Sequence, residues 1–126
     1  PWTLLVADDN QDVLDRLDRI LTQEGFQVLQ AGDGNETLEV IRASHPDLVI
    51  LDLLMPRLTG FEVLRQIRQD ERIQDTRVLA MSSVYKDNVL EFLHELGADG
   101  LLDKENLMDT IVFRVRQILD PEDHSS

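Results

Sequence analysis

At 126 residues, with 42% hydrophobic and 29% charged side chains, the chain has the length of one domain and enough apolar content to bury a core of two or three layers. The absence of cysteine excludes disulfides, thiolate nucleophiles and thiolate metal sites, so any chemistry falls to oxygen and nitrogen groups. Twenty-five acids against 12 bases give a formal charge of −13, which repels phosphate backbones, argues against nucleic-acid binding by this segment, and suits a cation or a basic protein surface.

Five short runs rich in Val, Ile and Leu alternate with five stretches of helical period. Trp2–Ala7 predicts the first strand, and Val13, Leu14, Leu17, Ile20 and Leu21 follow as a helix stripe that Gly25 stops. Phe26–Ala31 predicts the second strand, with a helix from about Asn35 to Ala43. Leu48–Leu51 is the third strand, and its helix runs from about Gly60 to Gln69. Arg77–Met81 is the fourth, followed by a core stripe of Val89, Phe92, Leu93 and Leu96 that ends at Gly97. Gly100–Leu102 is the fifth, and Met108, Ile111, Val112, Val115 and Leu119 mark the last helix, which Pro121 prevents from continuing.

Such alternation, with short connections and no internal repeat, predicts an α/β domain built as a (βα)5 doubly wound parallel sheet. The flavodoxin-like strand order 2-1-3-4-5 is expected, which puts the first and third strands side by side. No stretch reaches the roughly 18 consecutive apolar residues of a membrane span, and the amino end "PWTLLVADD" lacks the basic flank of a signal peptide. A soluble, cytoplasmic domain without membrane contact is therefore expected. The opening Pro1 and the closing "DPEDHSS" are compatible with a piece of a longer protein, and the expected division is a domain over residues 1–120 with a polar tail over 121–126.

In an open parallel sheet, ligands bind outside the carboxyl ends of the strands, where the strand order reverses. Reading past each strand gives Asp8, Asp9 and Asn10 after the first, Asp52 after the third, Ser82 and Ser83 after the fourth, and Asp103 and Lys104 after the fifth. Three carboxylates gathered on one rim repel one another, each close pair costing on the order of 4 kcal/mol at about 4 Å for an effective dielectric of about 20. A hard divalent cation offsets that repulsion, and Mg²⁺ suits it because it takes one or two carboxylates, keeps several waters and recruits phosphate oxygens. A carboxylate beside Mg²⁺ and Lys104 is equipped to attack phosphorus, with a hydroxyl donating to the transferred group. This is the task expected of Asp52, an acid in the otherwise apolar run "VILDLLMP".

"LLVADDNQD", "VILDLLMPRLTGFEVLRQIR", "VLAMSS" and "GADGLLDK" together resemble the receiver domain of two-component response regulators, over nearly the whole chain. The resemblance implies that Asp52 accepts a phosphoryl group from the phosphohistidine of a sensor histidine kinase or phosphotransfer domain. It implies Mg²⁺ on Asp9 directly, on Asp8 largely through water, on Asp52 and on the backbone carbonyl of Leu54. Ser82 corresponds to the hydroxyl that moves onto the phosphoryl group, Lys104 to the lysine that pairs with it, and Met55, Pro56 and Gly60 to the turn after the phosphoacceptor. The expected output is a switched protein-binding surface on the fourth helix, fifth strand and fifth helix, where Leu90 and Phe113 fall off the core stripes. Two positions depart from the family: Glu105 stands where proline usually follows the lysine with a cis bond, and Leu101 where a Tyr or Phe usually switches.

Each residue also has an ordinary explanation when taken singly. Asp8 suits a helix cap, with Asp9 and Asn10 sharing that role; Asp52 suits an acid bonded to loop amides; Ser82 and Ser83 suit loop hydroxyls, and Lys104 a surface charge between Asp103 and Glu105. Capping, however, requires neither a lysine nor a lone acid on neighbouring strand tips. His45, His94 and His124 lie away from the expected rim and carry no assigned role. Rival functions are a Mg²⁺-dependent phosphohydrolase, which lacks a second acid to activate water, and a nucleotide or flavin carrier, which the glycine-free turn "ADDNQD" disfavours. A third is a receiver-like module that binds partners without phosphorylation, which Leu101 and Glu105 favour.

Overall fold

The computed structural model describes residues 1–84 and 87–121. Five parallel strands, β1 (Thr3–Ala7), β2 (Gln27–Ala31), β3 (Leu48–Asp52), β4 (Arg77–Ser82) and β5 (Gly100–Asp103), form one sheet in the order β2-β1-β3-β4-β5. Between and after them run α1 (Gln11–Gln23), α2 (Gly34–Ser44), α3 (Gly60–Gln69), α4 (Asp87–Leu96) and α5 (Leu107–Leu119), with a one-turn 3-10 helix, Lys104–Asn106, ahead of α5. This is the flavodoxin-like (βα)5 architecture, and β1 lies beside β3 as the expected order requires.

Strand side chains alternate between two cores because successive residues point to opposite faces. Leu4, Val6, Leu48, Ile50, Leu79 and Met81 pack with α1 and α5, whereas Leu5, Ala7, Val49, Leu51, Val78 and Ala80 pack with α2, α3 and α4. With both faces covered, β1, β3 and β4 read as unbroken apolar runs. Their tips therefore carry the first polar residues the chain can place next to solvent. Helix ends are set locally: Asp33 caps α2 by accepting from the Glu36 amide at 2.8 Å, Thr59 caps α3, and Gly25, at φ +93°, closes α1 in the left-handed turn that its stop signal implies.

One expected core stripe needs correction. Of Val89, Phe92, Leu93 and Leu96, Leu93 is buried and Val89 and Leu96 are partly buried against the same core, but Phe92 stays half exposed, its ring tilted against Phe61 at 5.6 Å between centroids. The cause is position: α4 packs on α3 and on β5, the edge strand, so one flank of the helix has nothing to cover it. The carboxyl end of α4 is held instead by Arg68 of α3, whose guanidinium donates to the Gly97 carbonyl at 2.7 and 3.0 Å and to the Thr76 carbonyl at 2.6 Å. No helix among the described residues is long and apolar enough to cross a membrane.

Leu17 of α1 is wholly buried, whereas Leu90 of α4 is 40% exposed. Leu17→Ala is expected to lower the unfolding free energy by about 2–5 kcal/mol, and Leu90→Ala by no more than about 0.5 kcal/mol. Urea denaturation of the two variants beside the parent checks this, and equal losses would contradict the packing described.

Candidate functional site

The site grows from the tips of β1, β3 and β5. The Asp8 amide still donates to Ala31 of β2 at 3.1 Å, so the sheet fixes the residue just past β1, and its side chain is wholly buried. Asp8 Oδ1 accepts from the Asn10 amide at 2.9 Å, while the side chain of Asn10 caps α1 by accepting from the amides of Asp12 and Val13. Asn10 thus meets the capping demand that Asp8 and Asp9 were candidates for, and both acids are left for another task.

Asp52 ends β3, the central strand, with β1 on one side and β4 on the other, and is 2% exposed. Its Oδ1 accepts from the Leu54 amide at 3.2 Å, which draws the backbone of Leu54 against the site while the Leu54 side chain stays 55% exposed. The loop beyond is anchored from both sides, by Leu53 donating to the Met81 carbonyl and Gly60 donating to the Leu53 carbonyl, each at 3.0 Å. Gly60 belongs here because a side chain has no room: a Cβ would overlap the Asp52 carbonyl oxygen and lie 2.7 Å from Leu53 Cα.

Lys104, just past β5, reaches over the tip of β4. Its Nζ lies 2.7 Å from Asp8 Oδ2 and 3.2 Å from Asp52 Oδ2. Carboxylate oxygens of Asp8, Asp9 and Asp52 all lie within 4.8 Å of one another, with Asp9 the exposed member. One lysine therefore faces three carboxylates, each close pair of which repels by roughly 3–4 kcal/mol at an effective dielectric of about 20. Burial pushes the Asp8 carboxyl above its usual range, as does the neighbouring Asp52, against the lowering influence of Lys104 and the Asn10 amide. Burial alone would lower the Lys104 ammonium, yet its contacts with Asp8 and Asp52 outweigh that and raise it. Both groups of one pair move up because the acid is wholly enclosed and the lysine is not.

These residues fit a hard divalent cation. Among the described residues Asp8 Oδ2 is buried and met only by the Lys104 ammonium, and the acids offer a cation oxygen ligands alone, with Asp9 the exposed one.

Ser82 is not joined to this cluster. It alternates with Val78 and Ala80, the residues that face α2, α3 and α4, whereas Asp52 alternates with Leu48 and Ile50 and is opposite Met81 in register. Its hydroxyl donates to the Val84 carbonyl at 2.9 Å and accepts from the Val84 amide at 3.0 Å. Val84 is 46% exposed and Leu54 is 55% exposed. Every peptide bond among the described residues is trans, the Lys104–Glu105 bond included, so the loop after β5 is shaped otherwise than by a cis bond. Leu101 is buried with Leu93 and Ala80 and is a core residue. His45 ends α2 in a left-handed turn and His94 is exposed on α4; neither approaches the acids, and His124 lies outside the described residues. Sequence reasoning missed the division of labour between Asp8 and Asn10, although an asparagine directly before a helical stripe is a signal for it.

Comparison with known proteins agrees with this geometry. The family model described as "Response regulator receiver domain" matches residues 4–116. Response regulator MprA of Mycolicibacterium vanbaalenii is 38% identical over 121 residues, covering 94% of this chain and 51% of the relative. MprA of Mycobacterium ulcerans is 38% identical over 118 residues, covering 92% and 49%. The chain spans about half the length of the curated relatives it matches. Among solved structures, chemotaxis protein CheY4 of Vibrio cholerae superposes with a TM-score of 0.88 at 25% identity, covering 94% of this chain and 98% of that one. The receiver domain of the Francisella response regulator 1452 gives 0.89 at 25%, covering 96% and 98%.

Because Gly60 is what lets α3 start against the backbone of Asp52, Gly60→Ala is expected to cost about 1–3 kcal/mol of stability and to shift the amide resonances of residues 52–54. Gly32→Ala, where a Cβ meets nothing within 4 Å, should do neither. Denaturation curves and amide spectra of both variants decide this, and a silent Gly60→Ala would contradict the close approach.

Proposed function

The chain belongs to the response regulator receiver family, and we propose that Asp52 takes a phosphoryl group from the phosphohistidine of a sensor histidine kinase or phosphotransfer domain, switching a protein-binding surface. The observation that carries this is the position of Asp52: a buried carboxylate at the tip of the central strand, 3.2 Å from Lys104 and clustered with Asp8 and Asp9. An Asp52 oxygen attacks phosphorus, the P–N bond to the donor imidazole breaks, and the leaving nitrogen keeps the bonding electrons and takes up a proton. Lys104 leaves Asp52 to pair with a phosphoryl oxygen, which preserves a cation beside the charge that the transfer creates.

Asp8, Asp9, Asp52 and the Leu54 backbone carbonyl would hold Mg²⁺. When bound, the ion neutralises charge on the acids and on the transferring oxygens. Asp9, the exposed member, would bind the ion directly, and Asp8, fixed by Asn10 and Lys104, would bind it largely through water.

Ser82 must release the Val84 carbonyl before its hydroxyl can donate to the phosphoryl group. That exchange frees the backbone of Val84 and reaches α4, the helix that buries only Leu93. The response is a population shift of this weakly packed element. With Leu101 in the core, it proceeds without the aromatic swing found elsewhere in the family. The output surface is the α4, β5 and α5 face, where Leu90, Leu93, His94, Leu101 and Arg114 line a groove. The same Leu101 supports a second reading, a receiver-like module that binds its partner whether or not Asp52 is modified. The lack of nucleic-acid contact proposed for this segment accords with the charge of −13.

Leu54 and Val84 offer no base to an attacking water, so the phosphorylated form should hydrolyse slowly. Intact mass is followed over time after exposure to acetyl phosphate with Mg²⁺, beside Asp52→Asn. One added phosphoryl group, absent in the variant and decaying over minutes or longer, is expected. No addition, or equal addition to the variant, would refute Asp52 as acceptor, and a lifetime of a few seconds would refute the water-excluding role of the two apolar residues.

A further inference from the structure

Lys104 has the longest reach in the site. β5 is separated from β3 by β4, and from β1 by β4 and β3, offsets of about 10 and 14 Å at the usual strand spacing. Nonetheless its ammonium closes to 2.7 Å on Asp8 and 3.2 Å on Asp52. A four-carbon stem covers only part of those offsets, and the loop past β5 and the two carboxylate side chains must cover the rest. The direction in which the backbone launches it decides whether it arrives, and the rotamer freedom of a lysine side chain works against one extended pose.

The backbone at that point is set by one side chain. Asp103 is the last residue of β5, extended at φ −79° and ψ 125°, and its Oδ1 accepts from the Glu105 amide at 2.9 Å. This bond turns the chain sharply after the strand and starts the one-turn helix Lys104–Asn106, which the Leu107 amide closes by donating to the Lys104 carbonyl. Lys104 sits inside that turn, its amide and carbonyl flanked by the two bonds. No ion pair joins Asp103 to Lys104 among the described residues, so the carboxylate acts on the lysine through the backbone.

We infer that Asp103 is a positioning residue for phosphoryl transfer: by capping the turn at Glu105 it aims Lys104 across β4 at Asp8 and Asp52. This rests on the function proposed above. A cap that served stability alone would leave the rate of transfer unchanged; aiming makes a different demand, since an error of about 1 Å at a catalytic group can cost up to about 100-fold in rate.

The test compares Asp103→Ala, which removes the acceptor, with Asp103→Asn, which keeps an oxygen that forms the same turn. In the full chain with acetyl phosphate and Mg²⁺, Asp103→Ala is expected to slow modification of Asp52 by about tenfold or more, and Asp103→Asn to recover the rate to within about twofold. In a Lys104→Ala background, Asp103→Ala should add less than about twofold, because nothing remains to be aimed. Hydrogen exchange at the Glu105 amide should be fast in Asp103→Ala and protected in the parent and in Asp103→Asn. A parental rate in Asp103→Ala with that amide unprotected would overturn the proposal, as would an Asp103→Asn as slow as Asp103→Ala, or an equal slowing without Lys104. If the parent itself takes up no phosphoryl group, the functional reading fails instead. The aiming is then judged from crystal structures of the parent and Asp103→Ala: loss of the Lys104 to Asp8 contact in the variant supports it, and retention overturns it.

Discussion

The rest of the site depends on one contact, Lys104 reaching across the tip of β4 to stand between Asp8 and Asp52. A single cation against three carboxylates leaves the cluster short of positive charge, and that imbalance gives the site its chemistry. The strand order makes it possible. Placing β1 beside β3 brings Asp8 and Asp52 together, and placing β4 and β5 on one side leaves the lysine to arrive from the opposite flank to α1. A sheet with β1 and β3 apart would have given two buried acids no common partner, at a large desolvation cost to each.

The core supports this by being rigid where the site needs it and loose where a signal would leave. β1, β3 and β4 are buried on both faces, and the loop after Asp52 is pinned through Leu53 and Gly60. In contrast α4 covers the edge of the sheet with a single buried leucine, a ring contact to Phe61 and the Arg68 staple at its far end. Local stability in folded proteins varies along the chain in this way, and elements that move are drawn from its low end. Ser82 is bonded to Val84 and stands apart from the acids.

Much of this was legible from residue order alone. Apolar runs alternating with helical stripes gave the topology, and the rule that ligands gather beyond the carboxyl ends of parallel strands picked out Asp8, Asp9, Asn10, Asp52, Ser82, Ser83, Asp103 and Lys104 without reference to any family, of which Asp8, Asp9, Asp52 and Lys104 come together. Three features were not legible, each for a physical reason. Whether Asp8 or Asn10 caps α1 depends on a backbone turn that composition does not determine. Phe92 fits a helical core stripe, but a stripe says nothing of how much of the sheet lies beneath it, and α4 sits at the edge. The turn after β5 depends on Asp103 bonding two residues ahead, where "DKE" reads equally well as a run of surface charge. Leu101 was singled out as a departure, and its burial makes it a core residue that has no room to swing.

The central claim is that the surplus of carboxylate over lysine makes this rim a cation site. Crystals of the protein soaked with Mn²⁺, used in place of Mg²⁺ for its anomalous scattering, test this most directly. The account predicts one anomalous peak bonded to carboxylate oxygens of Asp9 and Asp52, with Lys104 still in place against Asp8. A rim without a peak at saturating metal, or a peak bound only elsewhere on the acidic surface, would contradict it.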